Sequence, residues 1–288
     1  MLNLVISGLA TGSIYALVAV GFTLLWQTSQ TINFAQGEFV MLPAFVVLAA
    51  MHAGLPFPMA ILVGLVACVF VLGILFQRVL VAPMLKHGVL PLAVATMALS
   101  ILMRESVKEF YSAEAQPFPS LLPDATVDVL GIAVSLQSVG VLVASVIAVT
   151  ALQVFINRTS IGAQMQATAQ NPTVARILGV PVERMILITF VINAVLVVLA
   201  SLLVTPIYLA KFSSGEILGM AAFIAAIVGG FNQVRGAIAG GLLLGVVDNF
   251  AAAYLSAQYR TAVPLFILIA VILFRPQGLF GRSEERAV

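Results

Sequence analysis

Four polar side chains interrupt otherwise apolar sequence and are the strongest candidates for chemistry. Asn33, Gln36 and Glu38 fall in a nearly uncharged polar stretch, 27–38, and Asp248 interrupts an apolar run near the other end of the chain. Amides donate and accept hydrogen bonds, and irregular backbone at membrane depth survives only when it is packed in protein or lines a wet cavity. The stretch therefore predicts either a broken helix on a translocation path or an ordinary interfacial loop that caps the second helix.

Asp248 is the best single candidate for a pathway carboxylate, because a carboxylate inside a membrane is costly and normally faces a cavity or a partner. The alternative is an interfacial position with a solvated head group. The sequence contains no nucleophile–base pair, no metal-ligand spacing around His52 or His87, and no Walker-type phosphate loop. It therefore predicts no catalytic residues, no metal site, no cofactor in this chain, and a transport subunit rather than an enzyme.

The composition places these residues in a membrane protein. The 288 residues are 62% hydrophobic and 8% charged, whereas soluble domains are about 25% charged. A helix needs about 20 apolar residues to cross the hydrocarbon. The chain has room for several crossings and for no separate soluble domain, so residues 1–288 are predicted to form a single, all-α polytopic transmembrane domain.

Apolar runs predict about eight to nine transmembrane helices, some of them short or broken. The runs lie near 2–26, 37–52, 58–80, 89–104, 136–157, 185–206, 216–230, 236–255 and 259–274. The second and seventh runs are short for full spans, so they predict tilted helices or half-helices completed by their neighbours. Interrupted segments of this kind often mark the path in transporters.

Charge predicts the orientation, because cytoplasmic loops carry an excess of Lys and Arg. Nine spans place one set of cations on the cytoplasmic face: Arg78, Lys86, Arg158, Arg176, Arg184, Arg235, Arg275, Arg282 and Arg286. The opposite face receives a loop over 105–135 that carries Glu105, Glu109, Glu114, Asp124 and Asp128. The sequence thus predicts an external loop at 105–135, an external N-terminus and a cytoplasmic C-terminus.

A second cytoplasmic feature is the long loop over 158–184. Its composition predicts a helix near 163–170, a break at Asn171-Pro172, and a short helix over 173–178 that Gly179 ends. The alternatives are a surface that docks on another protein and a plain connector, which would be shorter. The docking hypothesis names Gly162, Asn171, Pro172, Ala175, Arg176 and Gly179.

Glycine pairs spaced four residues apart mark two of the predicted spans, at Gly8/Gly12 and at Gly236/Gly240 and Gly241/Gly245. Small residues let helices approach closely in lipid. The pairs predict packing within the chain or, alternatively, a subunit interface.

Several stretches, in this order and spacing, resemble the permease subunits of branched-chain amino acid ABC importers of the Liv type. The matching stretches are Gly12–Leu24, Ile32–Phe39, Asn157–Gly162 with Asn171-Pro172 and Ile177–Val180, Ala226–Phe231, Gly236–Gly245 and Phe274–Gly281. The resemblance covers essentially the whole chain and implies an ABC importer permease fold.

The resemblance also implies partners and a location. It implies a multi-pass protein of the bacterial inner membrane that pairs with a homologous second permease subunit. Two cytoplasmic ATPase subunits would bind ATP and Mg, and a periplasmic binding protein would deliver the substrate. The loop over 158–184 falls where such permeases couple to their ATPases. Relatives also import urea, amides and aromatic acids, so the substrate stays open between branched-chain amino acids and similar small polar solutes.

The function predicted from the residues and the resemblance is ATP-driven import by alternating access. The alternative is an ion-coupled secondary transporter that works without an ATPase and in which Asp248 and Glu38 carry the ion.

Overall fold

The computed structural model describes residues 1–123, 125–129, 132–255 and 262–281. Its elements in chain order are α1 (Leu2–Ser29), α2 (Gln36–His52), α3 (Phe57–Cys68), two π-helical stretches (Val69–Leu75 and Gln77–Val81), α4 (Ala82–Leu85), α5 (Val89–Phe110), β1 (Thr126–Val129), β2 (Ile132–Ser135), α6 (Leu136–Arg158), α7 (Ser160–Gln170), α8 (Pro172–Ile177), α9 (Val182–Tyr208), α10 (Ser214–Gly229), α11 (Val234–Tyr254) and α12 (Ala262–Phe274).

Among the residues that the structure describes, six helical segments are long and apolar enough to cross a membrane. They are Asn3–Ser29, Phe57–Leu85, Val89–Phe110, Leu136–Arg158, Val182–Tyr208 and Val234–Tyr254. Three shorter apolar helices are Gln36–His52, Ser214–Gly229 and Ala262–Phe274. The predicted short second and seventh helices are therefore present as short helices, and the ninth is short as well.

The region predicted as an external loop, 105–135, contains regular structure in its described residues. Helix α5 continues to Phe110, six residues past its predicted end, and its last turns carry a Lys108–Glu105 ion pair of 3.2 Å. Strands β1 and β2 form an antiparallel hairpin in which Thr126 pairs with Ser135. The prediction of an all-α chain is wrong in this detail, because four-residue strands are too short to stand out in the sequence. Asp124, Arg282 and Arg286 lie outside the described residues.

The chain forms two compact units, and each is described by itself. The first comprises Met1–Thr23, Leu122–Ser145 and Met220–Val288, and the second comprises Leu24–Leu121 and Val146–Gly219. Helices α1, α6 and α10 each begin in one unit and end in the other. The single domain over 1–288 stays a prediction.

In the first unit, glycines bring the backbones of α1 and α11 together. A Cβ atom placed on Gly12 would lie 2.8 Å from the Leu242 Cα, and one on Gly241 would lie 2.5 Å from the Ala16 Cα. Helices in lipid associate through such close van der Waals contact. These glycines therefore serve packing within the chain, which is one of the two roles that the sequence predicted.

The segment after α12 closes the end of α10 within the same unit. The backbone N–H of Leu279 donates to the Val228 carbonyl at 2.8 Å, and that of Phe280 donates to the Gly229 carbonyl at 3.0 Å. The last carbonyls of a helix have no partner inside the helix. The segment thus satisfies two groups that the α10 terminus leaves open.

In the second unit, aromatic rings join three elements. The Phe39 ring of α2 lies 4.9 Å from that of Phe76, which lies 5.7 Å from the Phe190 ring of α9. Phe76 sits between the two π-helical stretches, which widen the helix that continues α3. The sequence predicted this span as an ordinary helix, because a π-helical turn has no distinctive residue pattern.

Candidate translocation site and coupling helices

The polar stretch between α1 and α2 is a folded connection with a defined geometry. Asn33 Oδ1 accepts from the Ala35 backbone N–H at 3.0 Å, and the Asn33 carbonyl accepts from the Gln36 backbone N–H at 3.2 Å. An Asn side chain that bonds the backbone two residues later forms a tight turn. Asn33 is buried, so it shapes the start of α2 from inside the protein.

Gln36 forms a reciprocal amide pair with Asn193 of α9. Gln36 Nε2 donates to Asn193 Oδ1 at 2.6 Å, and Asn193 Nδ2 donates to Gln36 Oε1 at 2.9 Å. Both side chains are fully buried. Two amides that exchange both hydrogen bonds satisfy groups that would otherwise be costly to bury.

The pair lies deep along α9. Asn193 is eleven residues past Val182, where α9 begins, which corresponds to about 17 Å of helix. The loop also contacts the interior of α5, because the Phe34 backbone N–H donates to Thr96 Oγ1 at 3.2 Å. The stretch therefore contacts the interiors of two helices rather than their ends, and its place on a translocation path stays a prediction.

Sequence reasoning missed Asn193 and Thr96. The signal for Asn193 was present, because it is a lone amide within a long apolar run, where a polar side chain needs a partner. The signal for Thr96 was weak, because a threonine in a membrane helix can also bond the carbonyl of the preceding turn. Thr96 does so, donating to the Ala93 carbonyl at 2.9 Å.

Glu38 occupies the first turn of α2, where a carboxylate suits the positive end of the helix dipole. Ser100 Oγ of α5 donates to Glu38 Oε1 at 3.4 Å. Backbone packing at this turn is tight, since a Cβ atom on Gly37 would meet the Gly215 carbonyl at the start of α10. The starts of α2 and α10 therefore touch, and Glu38 lies at their contact.

Asp248 belongs to the first unit and is buried. Tyr15 Oη of α1 donates to Asp248 Oδ2 at 2.9 Å. The neighbouring Asn249 Nδ2 donates to Thr11 Oγ1 at 3.2 Å. The interfacial alternative, with a solvated carboxylate, is wrong for this conformation, because the carboxylate is held inside the protein by α1.

The loop over 158–184 contains the two short helices that the sequence predicted, α7 and α8. Thr159 Oγ1 accepts from the Gly162 backbone N–H at 3.0 Å and caps α7. Asn171 Oδ1 accepts from the backbone N–H groups of Thr173 and Val174, both at 3.0 Å, and caps α8. Side-chain caps of this kind satisfy donors that a helix start leaves open, so both helices have fixed ends.

The predicted docking residues do not all lie on one exposed face. Ala175 is 2% exposed and is packed inside the chain, whereas Ile177 and Leu178 are 79% and 75% exposed. The prediction that Ala175 lies on an exposed docking surface is therefore wrong. The most exposed large apolar side chains here are Ile177 and Leu178, at the end of α8, and the docking hypothesis did not include them. The six-residue helix was too short for its periodicity to identify the buried side.

The other predicted docking residues fall into two groups. Gly162 is buried, and a Cβ atom there would meet the Ile156 backbone. Asn171, Pro172, Arg176 and Gly179 are exposed, and Gly179 has a φ of +83° that ends the loop's second helix. A left-handed residue after a helix is the usual place for glycine.

Comparison with known proteins decides the class of this chain. The profile of the family described as "Branched-chain amino acid transport system / permease component" matches residues 4–272. The high-affinity branched-chain amino acid transport system permease protein BraD of Pseudomonas aeruginosa is 31% identical over 300 residues, covering 100% of this chain and 98% of the relative. The chain belongs to this permease family. Its predicted class, a multi-pass membrane transport subunit rather than an enzyme, is thereby confirmed.

Other relatives show how far the similarity extends. The LivH permease protein of the same description from Escherichia coli K12 is 30% identical to this permease over 295 residues, covering 98% of this chain and 96% of the relative. The fructose import permease protein FruG of Bifidobacterium longum is 31% identical over 157 residues, covering 51% of this chain and 46% of the relative. No solved structure matches.

Proposed function

We propose that this permease is the membrane subunit of an ATP-driven importer for branched-chain amino acids or similar small polar solutes. The observation that carries the proposal is the full-length similarity to BraD, a branched-chain amino acid permease protein. The similarity to FruG covers only half of the chain, so it gives much weaker support for a sugar.

The partners of the permease follow from the same proposal. A homologous permease subunit pairs with it in the membrane, two ATPase subunits bind ATP and Mg below it, and a periplasmic binding protein delivers the substrate. The capped helices α7 and α8 form the surface that the ATPase subunits contact. Ile177 and Leu178 support this role, because large apolar side chains this exposed outside the apolar helices favour a protein contact.

The substrate path uses the broken segments. Asn33, Gln36 and Glu38 lie at or beside the start of α2 in the second unit, and Asp248 supplies a buried carboxylate in the first. In the proposed cycle, ATP binding moves the coupling helices, and the path reopens on the other side by alternating access. Two of these path residues make buried contacts in this conformation: Gln36 bonds Asn193, and Asp248 bonds Tyr15.

The membrane arrangement is also a proposal. Eight to nine helices enter the bilayer, and α2 is a half-helix that begins at depth, since the loop before it bonds Thr96 within α5. The segment over 158–184 lies in the cytoplasm and the segment over 105–135 lies outside. Short helices that start within the membrane are a recurring feature of transporter binding sites.

Reconstitution of the assembled transporter tests the proposal. The permease pair, its ATPase subunits and its binding protein are placed in vesicles, and uptake of labelled leucine is measured with and without internal ATP. We expect uptake that needs both ATP and the binding protein. Accumulation by the permease alone, driven by an ion gradient without ATP, would overturn the proposal in favour of secondary transport.

A further inference from the structure

One arginine in the second unit pairs with two carboxylates, and a third carboxylate lies near its helix. Arg104 Nη1 of α5 donates to Glu216 Oε2 of α10 at 2.6 Å, and Arg104 Nε lies 3.8 Å from Glu105 Oε1. The third carboxylate is Glu38 of α2. Ser100, which bonds Glu38, precedes Arg104 by four residues on the same helix, so the two side chains lie one above the other.

The pairing of these charges is uneven. Glu38 is 2% exposed, and its Oε2 atom has no hydrogen-bond partner. The side chains of Arg104 and Glu216 are 26% and 65% exposed. The guanidinium in this group thus bonds a carboxylate that the chain leaves largely exposed, while a neighbouring carboxylate that the chain encloses keeps an unsatisfied oxygen.

Physical chemistry favours a second arrangement of the same groups. An ion pair is worth little where solvent screens it, and a buried carboxylate needs a donor or a cation. A guanidinium carries five N–H donors and can bond a carboxylate through two of them. Arg104 therefore has two competing partners, and the balance between them depends on how close α10 stays to α2.

The backbone contact links that balance to movement of α10. Glu38 Oε2 lies against Gly215, and the next residue is Glu216. A Cβ atom at Gly219 would lie 2.7 Å from the Gly37 Cα, so the backbones of α2 and α10 are in direct contact beside the Glu38 side chain. If the first turn of α10 leaves α2, Glu216 leaves Arg104 and the Glu38 carboxylate is uncovered.

We propose that Arg104 is a latch with two alternative partners, Glu216 in this conformation and Glu38 in a second conformation in which the start of α10 has separated from α2. The inference rests on the proposed function, since it assigns one step of alternating access to named residues. Arg104 acts as a positioning residue that stabilises whichever of the two helix arrangements is present.

Cysteine accessibility tests the latch without any transport measurement. In the Cys68→Ala background, Ser214→Cys at the start of α10 is alkylated by a maleimide in the assembled transporter without ATP. Glu216→Gln removes the first partner, so we expect alkylation to become about tenfold faster. Glu38→Gln removes the second partner, so its rate should stay at or below that of the parent protein.

Glu105→Gln is the matched control, because Glu105 is the third carboxylate beside Arg104 and faces solvent. Its alkylation rate should equal that of the parent. Equal rates in Glu216→Gln and Glu105→Gln would overturn the latch. A rate in Glu38→Gln as fast as in Glu216→Gln would also overturn it, because a static clasp of all three helices loosens whichever bond is removed.

Charge exchange gives a second, independent measurement. The double variant Arg104→Glu, Glu216→Arg restores the pair of this conformation but leaves Glu38 facing another carboxylate in the second conformation. We expect the transporter still to assemble, with thermal stability closer to the parent than that of Arg104→Glu alone, and loss of most ATP-driven uptake. Restored uptake would overturn the latch. Absence of ATP-driven uptake in the parent transporter would instead contradict the proposed function, and the alkylation rates would still decide on the latch.

Discussion

Gln36 and Asn193 hold each other through two hydrogen bonds in the interior of the second unit, 157 positions apart in the chain. The pair fixes the first residue of α2 to the middle of α9. A residue that the sequence marked as a pathway candidate is therefore also a structural one. Its substitution should affect stability as well as uptake, because the partner amide cannot turn to water.

Removing one member of the Gln36–Asn193 pair should lower the free energy of unfolding more than removing both members. Gln36→Leu or Asn193→Leu leaves a buried amide unsatisfied, and each should destabilise the protein by about 1–3 kcal/mol. The double variant Gln36→Leu, Asn193→Leu should be closer to the parent in thermal unfolding of the purified transporter. Gln170→Ala, which removes an exposed amide at the end of α7, serves as the control. Additive losses in the double variant would contradict this account.

Asp248 should matter for transport through its charge. Asp248→Asn keeps the shape of the side chain and an oxygen that Tyr15 Oη can still bond. We expect normal membrane abundance and an uptake rate lower by about tenfold or more, because a carboxylate kept at membrane depth is by default a functional group. Tyr15→Phe should retain most uptake, because it removes only one donor. Full uptake by Asp248→Asn would leave the carboxylate with a packing role alone.

A charge on the exposed side of α8 should separate the ATPase subunits from the permease. Ile177→Glu would place a carboxylate in the proposed contact, and burying it unpaired costs at least about 2 kcal/mol, or more than tenfold in affinity. Co-purification of the ATPase subunits and substrate-stimulated ATP hydrolysis should both fall, while the permease pair still assembles. Gln170→Glu adds the same charge at an exposed polar position and should be tolerated. Intact coupling in Ile177→Glu would place the contact elsewhere.

Impermeant thiol reagents test the orientation. In the Cys68→Ala background, Gln166→Cys and Ala115→Cys are both exposed positions. In intact spheroplasts, the cysteine at 115 should react from outside, and the cysteine at 166 should react only after the membrane is opened. Reaction of both from the same side would contradict the proposed topology.

Much of this fold could be predicted from the sequence, because a helix that crosses a membrane must be long and apolar. Apolar runs of sufficient length gave most helices within a few residues, and Asn171-Pro172 marked the break between α7 and α8 because an Asn cap and a proline act locally. Ala175 could not be placed, because its burial depends on how α8 folds back on the chain. The partners of Gln36 and Glu38 could not be predicted either, because the packing of α9 and α5 brings Asn193 and Ser100 to them.

The backbone bonds from Leu279 and Phe280 to the end of α10 bear on how the protein is made. During synthesis, α10 is translated before α11 and α12, and the residues that bond its last two carbonyls are translated after both. A product that stops at Phe274 would have every apolar helix yet leave this terminus open. The end of α10 is therefore closed only once Leu279 and Phe280 are present, and a truncation or fusion that replaces them should leave these two carbonyls without their partners.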